Sequence, residues 1–162
     1  MGNKRWRLLT VVMAGLMSLA INAQEPADSV VAQDFTLETR EGRTLRLSEL
    51  AADRWTLLMF YDPDCSDCRQ ELFAMRHSSW LRQAVGEGRL QVVCVYAEAD
   101  EELWRATASE LPETWTVAIA RTDVHRDYDL SAMPLLLLLD GERHIVRQAY
   151  ELRDILADST SY

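Results

Sequence analysis

Trp55-Thr56-Leu57-Leu58-Met59-Phe60-Tyr61-Asp62-Pro63-Asp64-Cys65-Ser66-Asp67-Cys68 runs from a near-continuous apolar segment, through a proline break, into two cysteines three positions apart. An apolar run from Trp55 to Tyr61 is the pattern of a strand buried on both faces. Asp62-Pro63-Asp64 ends it, and a helix is predicted to start at the cysteines and to run to about Gly86. On its wheel Leu72, Phe73, Trp80, Leu81 and Ala84 gather on one broad face for a sheet to cover.

The flanking segments extend this strand-to-helix unit in both directions. Upstream, Phe35 to Thr39 alternates apolar and polar residues, Glu41-Gly42-Arg43 supplies a turn, and Thr44 to Leu47 returns as a second strand. Ser48 is placed to cap a short helix through Ala52. Downstream come a buried strand from Leu90 to Tyr96, a helix from Asp100 to Leu111 and a strand from Trp115 to Ala120. The five leucines Leu135 to Leu139 form a further strand, turned by Asp140-Gly141 into Ile145 to Tyr150, and Glu151 to Ala157 closes as a helix. The class is α/β: a mixed central sheet with an N-terminal β-hairpin, parallel pairing in the middle, an antiparallel edge and helices on both faces. One domain over residues 34–162 accounts for the chain beyond a polar, flexible lead-in at 24–33.

A cysteine pair at a helix start suits thiol–disulfide exchange for three reasons. Two cysteines three apart close a small ring with little backbone movement. Free N–H groups and the dipole of the first turn stabilise a thiolate at Cys65. The loop leaves the leading sulfur exposed while the helix covers the second, so that one attacks and the other resolves.

Leu57 to Cys68 resembles the active-site stretch of thioredoxin-like proteins. The preceding hairpin with Phe35-Thr36-Leu37 resembles their extracytoplasmic, TlpA-like branch, and Ala132-Met133-Pro134 before the leucine strand resembles the family's cis-proline loop. The resemblance spans roughly residues 33 to 158. It implies a thiol–disulfide oxidoreductase with Cys65 attacking, Cys68 resolving, and a cis Pro134 beside the disulfide, Met133 offering its backbone to an extended substrate. It implies no cofactor. Independently, Pro134 cannot donate to a sheet ladder, so at the mouth of a central strand it belongs in a special turn. Three positions depart from the family pattern: Met59 replaces the acid six before the first cysteine, Asp64 replaces the usual tryptophan, and no proline lies between the cysteines. Glu98, Asp64 and Asp67 are the remaining candidates to accept a proton.

Other readings stay open. A structural disulfide on a non-enzymatic binding module is one, although a CxxC ring constrains the unfolded chain little. A peroxiredoxin-like peroxidase is another, although the proline and the Thr or Ser three before a lone peroxidatic cysteine are missing around Cys65. Zinc needs four ligands, and no second CxxC or paired histidines accompany this one, so no metal is expected. Cys94, in Val92-Val93-Cys94-Val95, reads as a core residue. His77, His125 and His144 read as surface residues.

Lys4, Arg5 and Arg7, the apolar stretch Leu8 to Ile21, and the exit Asn22-Ala23-Gln24 make a secretory signal peptide over residues 1–23. The apolar stretch is shorter than the roughly 20 residues of a membrane span, and an uncleaved anchor is the alternative. Removing three basic groups and no acid takes the formal charge from −9 to −12, and the mature chain contains no lysine. Such acidity argues against nucleic acid as a partner. The expected setting is periplasmic, where disulfides persist. There a monomer would act on exported proteins with disulfides or free thiols and exchange electrons with a membrane donor or another redox partner. Asp62, Asp64 and Asp67 disfavour the thiolate, hence the dithiol form, which predicts a reductant rather than an oxidant.

Overall fold

The structure is a computed structural model that describes residues 30–157. The expected signal peptide and most of the lead-in lie outside the described residues. The elements in order are β1 (Thr36–Thr39), β2 (Thr44–Arg46), α1 (Leu47–Leu50), β3 (Trp55–Tyr61), α2 (Ser66–His77), α3 (Ser79–Gly86) and β4 (Leu90–Tyr96). Then follow α4 (Glu101–Ala108), β5 (Thr116–Ala120), β6 (Leu135–Leu139), β7 (Ile145–Ala149) and α5 (Leu152–Leu156).

Seven strands form one sheet in the order β2-β1-β5-β4-β3-β6-β7. The central strands β5, β4 and β3 are parallel, and β1, β2, β6 and β7 join by antiparallel pairs. This is the thioredoxin-like arrangement. The middle strands are apolar on both sides because both sides are covered. Leu57, Met59, Val92, Cys94 and Leu136 pack under α2 to α5, while Leu58, Phe60, Val93, Val95 and Leu137 pack against the opposite layer. That second layer holds a single turn of helix, α1, with Phe35 and the irregular connection between β5 and β6. Helices do lie on both faces, but four of the five share one.

Several expectations need correction. The helix following the cysteines is two helices. Ser78 is extended (φ −66°, ψ 115°), and its Oγ accepts the N–H of Leu81 at 3.1 Å, ending α2 and capping α3. A serine hydroxyl competes for backbone N–H groups and favours such a restart. The change of direction takes Phe73 off the buried face. Leu72, Leu81 and Ala84 are buried, whereas Phe73 is 56% exposed and lies against the ring of His77 at 4.0 Å. Ser48 does not cap α1 but sits within it: the Asp34 carboxylate accepts both its N–H and its hydroxyl, each at 2.9 Å. Residues 30–33, expected within a flexible lead-in, are tied to the β7 edge. Val31 bridges His144, Ala32 donates to the Arg143 carbonyl, and Val30 accepts from Ile145.

The register brings the site to one end of the sheet. Tyr61 lies beside Tyr96 on β4, and Phe60 lies beside Leu135 on β6. The loop after β3, the loop after β4 and the segment entering β6 therefore meet there.

Candidate active site

Asp62 builds the turn that delivers the first cysteine. Its Oδ1 accepts the N–H of Asp64 at 2.8 Å, and its carbonyl accepts the N–H of Cys65 at 3.1 Å. Such side-chain-to-backbone bonding is what aspartate does in tight turns. Cys65 is then the N-cap of α2, extended at φ −75° and ψ 122°. The first turn's orphan N–H groups need an acceptor, and here it is a sulfur: Cys65 Sγ accepts the N–H of Cys68 at 3.2 Å. One helical turn carries the second cysteine inward.

The two sulfurs have different surroundings. Cys65 is half-buried, and its Sγ lies 3.8 Å from the carbonyl oxygen of Met133. Cys68 is fully buried, and its Sγ accepts the N–H of Asp62 at 3.5 Å. Burial pushes the Cys68 thiol well above its ordinary value; Cys65 and the Asp62 carboxylate push the same way, and the Asp62 N–H opposes them. Both cysteines are free thiols, placed close together at the helix start.

The Met133–Pro134 peptide is cis. Met133, the residue before it, faces Cys65 with its carbonyl, and Pro134 is buried at the entrance to β6. Thus Cys65, Cys68, Met133 and Pro134 come together. Of the acids weighed as proton acceptors, Glu98 is exposed and ion-paired with His125 at 3.0 Å, and Asp64 and Asp67 are exposed beside the cysteines. The Asp62 carboxylate acts on Cys68. Met59 is fully buried between Cys94 and Leu136, so no acid reaches the cysteines from that position of β3. Cys94 is fully buried, and burial pushes its thiol up to about 12. Among the described residues no group of three His, Cys, Asp or Glu side chains is placed to hold a metal ion.

Reading the sequence missed Glu71. It is 8% exposed, its Oε1 accepts the N–H of Leu152 at 2.6 Å, and burial raises its carboxyl. Cys68, Glu71, Leu72 and Met75 follow the i, i+3, i+4, i+7 stripe of a buried helix face. An acid in such a stripe is the signal. With Pro134 and Asp67 it lines an open groove of about 420 Å³ between α2 and the start of α5.

Comparison with known proteins agrees with this geometry. The model of the AhpC/TSA family matches residues 29–155. A thioredoxin-like protein of Bacillus subtilis (strain 168), YneN, is 30% identical over 122 residues, covering 74% of this chain and 68% of that one. Among solved structures, a conserved protein of unknown function from Bacteroides fragilis superposes with a TM-score of 0.72 at 30% identity, covering 79% of this chain and 95% of the other. A thioredoxin-like protein from Bacteroides caccae gives a TM-score of 0.73 at 26% identity, with 82% and 49% covered.

Proposed function

Because the chain belongs to the AhpC/TSA family, we propose that it is an exported thiol–disulfide oxidoreductase that reduces disulfides of exported proteins. One observation carries the reading: a half-buried sulfur at a helix start, three residues from a fully buried one, beside the carbonyl of the residue preceding a cis proline.

The chemistry follows from the two environments. Cys65, as thiolate, attacks one sulfur of a client disulfide. The client S–S bond breaks, a mixed disulfide forms, and the other client sulfur leaves as a thiolate that takes a proton. Cys68 then loses its proton and attacks Cys65 Sγ, so the mixed disulfide breaks and the second client thiol is released. The client gains two electrons and the protein holds a Cys65–Cys68 disulfide. Turnover needs a dithiol donor to reduce it again. Burial disfavours the Cys68 thiolate, so its proton has to leave in the resolving step itself. Pro134 and Met133 shape the surface on which the client's extended segment lies.

Export rests on the basic, apolar and small-residue pattern of residues 1–23 with cleavage after Ala23, and it fits a periplasmic setting. Insulin reduction by dithiothreitol tests the enzymatic reading. The mature protein should accelerate it, and Cys65→Ser and Cys68→Ser should not. If wild type is no faster than the double variant, the domain is a binding module. Faster consumption of hydrogen peroxide than of a disulfide would favour the peroxidase.

A further inference from the structure

We infer that the groove beside Cys65 selects client disulfides flanked by lysine or arginine. The inference rests on the exchange reading above and adds to it a substrate class.

Charge bookkeeping along the groove points one way. Among the described residues of the lining Arg153 is the one cation, and it is spent internally: its Nε and Nη2 hold the two carboxylate oxygens of Glu151 at 2.7 and 2.8 Å. Asp67 is exposed, and its carboxylate accepts the Ser66 hydroxyl at 3.5 Å. Glu71 is more than nine-tenths buried, with one oxygen held by Leu152 and its side chain on the groove wall. Arg69, the nearest other cation on α2, is turned to the Pro63 carbonyl at 2.9 Å. On the loop that delivers Cys65, Asp64 adds an exposed carboxylate, and Asp62 adds another whose Oδ1 accepts the Asp64 N–H at 2.8 Å.

A client strand that reaches Cys65 therefore crosses a groove whose lining carries Asp67, Glu71 and Glu151 with its one guanidinium already paired, and meets the exposed Asp64 on the cysteine loop. Tyr150 adds an independent cation-accepting group on the same groove: it is 47% exposed, with an aromatic face to offer. Cationic side chains within a few residues of the client cysteine gain on both counts, and anionic ones are repelled. The effect acts on encounter and binding and leaves the exchange step itself unchanged.

The test uses three disulfides: one neutral small molecule, and two peptides alike except that each cysteine is flanked by lysines or by glutamates. At low salt kcat/KM for the lysine peptide should exceed that for the glutamate peptide by about tenfold, shrinking below about twofold at 0.5 M salt. Asp67→Asn should lower the ratio by about threefold, and Asp67→Asn with Glu151→Gln, which releases Arg153, should bring it to about one. The same ratio, read as affinity, is obtained with the Cys65→Ser/Cys68→Ser protein and peptides carrying serine for cysteine, and needs no turnover. A ratio within twofold at low salt, or one that the double substitution leaves unchanged, overturns the inference. Failure on the neutral disulfide overturns the enzymatic reading alone, and the affinity ratio still decides this one.

Discussion

Replacing Glu71 separates the structural use of its carboxyl from its charge. Leu152 opens α5, and the residue before it, Glu151, makes no side-chain cap. Glu71 supplies that cap from another helix, with Oε1 2.6 Å from the Leu152 N–H, in a place where Leu152 is 5% exposed. Glu71→Ala leaves this N–H buried without an acceptor, which costs about 1–3 kcal/mol. For a domain of this size about 1 kcal/mol corresponds to roughly 3 °C, so Tm should fall by about 3–9 °C. Glu71→Gln keeps an acceptor and removes the charge. Burial raises the Glu71 carboxyl, so the folded protein holds that proton more tightly than the unfolded chain. The stability it contributes is complete below the unfolded value and is lost as pH rises through the folded one. Calorimetric melts of wild type and both variants at acid and at neutral pH check this. Wild type should lose ground to Glu71→Gln as pH rises, while Glu71→Ala stays below both. A Glu71→Ala melt within 1 °C of wild type, or a wild-type-to-Gln difference that does not change with pH, would refute the reasoning.

Arg40 should be a second stability site: its Nη1 donates to the Ala108 and Leu111 carbonyls and its Nη2 to those of Pro112 and Trp115, at 2.9–3.2 Å. Denaturant titration should show Arg40→Ala losing about 2–4 kcal/mol, with Arg40→Lys restoring less than half, because an ammonium lacks the planar fork; an Arg40→Ala variant as stable as wild type removes the argument. Alkylation of the reduced native protein, followed by peptide mapping, should label Cys65 readily and Cys94 only after denaturation, since Cys94 is fully buried with its thiol pushed up to about 12; fast native labelling of Cys94 would reopen a redox role for it. Equilibration with dithiol buffers should give a potential nearer roughly −270 mV than −120 mV, and Asp67→Ser should raise it; a value above about −180 mV means the direction is wrong.

Strands β3, β4 and β6 are the elements whose bounds can be read from the chain without correction. Each is an apolar run, unbroken in β6 and interrupted only by Thr56 in β3 and Gln91 in β4, and burial on both faces leaves such a run one interpretation. Elements with one wet face are less sharply marked, and α4 and α5 are each shorter than their pattern suggested. The break at Ser78 was open to inspection, since Ser78-Ser79 interrupts the helix, but whether a serine caps or merely sits in a helix depends on the direction the chain must take next. The covering of the second face was not legible. Val124, Tyr128 and Leu130 reach it from a connection with no regular period. Nor was Arg40, whose four acceptors are backbone carbonyls 68 to 75 residues away and leave no side-chain pattern to find. The place of both cysteines was legible from residue type and spacing, and that of Met133 and Pro134 beside them from the resemblance of Ala132-Met133-Pro134 to a cis-proline loop. Glu71 could be marked as an acid in an apolar stripe, but not its role, because its partner is a backbone N–H 81 residues away.

The spacing of the cysteines decides more than ring closure. An N-cap acceptor takes the N–H of the second or third helical residue, and with Cys65 at the cap the third residue is Cys68. The spacing that lets one sulfur cap the helix is thus also the spacing that brings the second within reach of it. The same turn of helix sorts their surroundings. Cys65 stands outside the helix in extended backbone and keeps its exposure, whereas Cys68 falls on the stripe that continues through Leu72 and Met75 into the core. One more residue between them would rotate the second sulfur by about 100° and move it off that stripe, costing it the burial that holds its proton and the N–H of Asp62 that it accepts. The division of labour that the proposed exchange needs, between an attacking and a resolving sulfur, would therefore be a property of helix geometry at this junction, leaving Ser66 and Asp67 between the cysteines free to set charge.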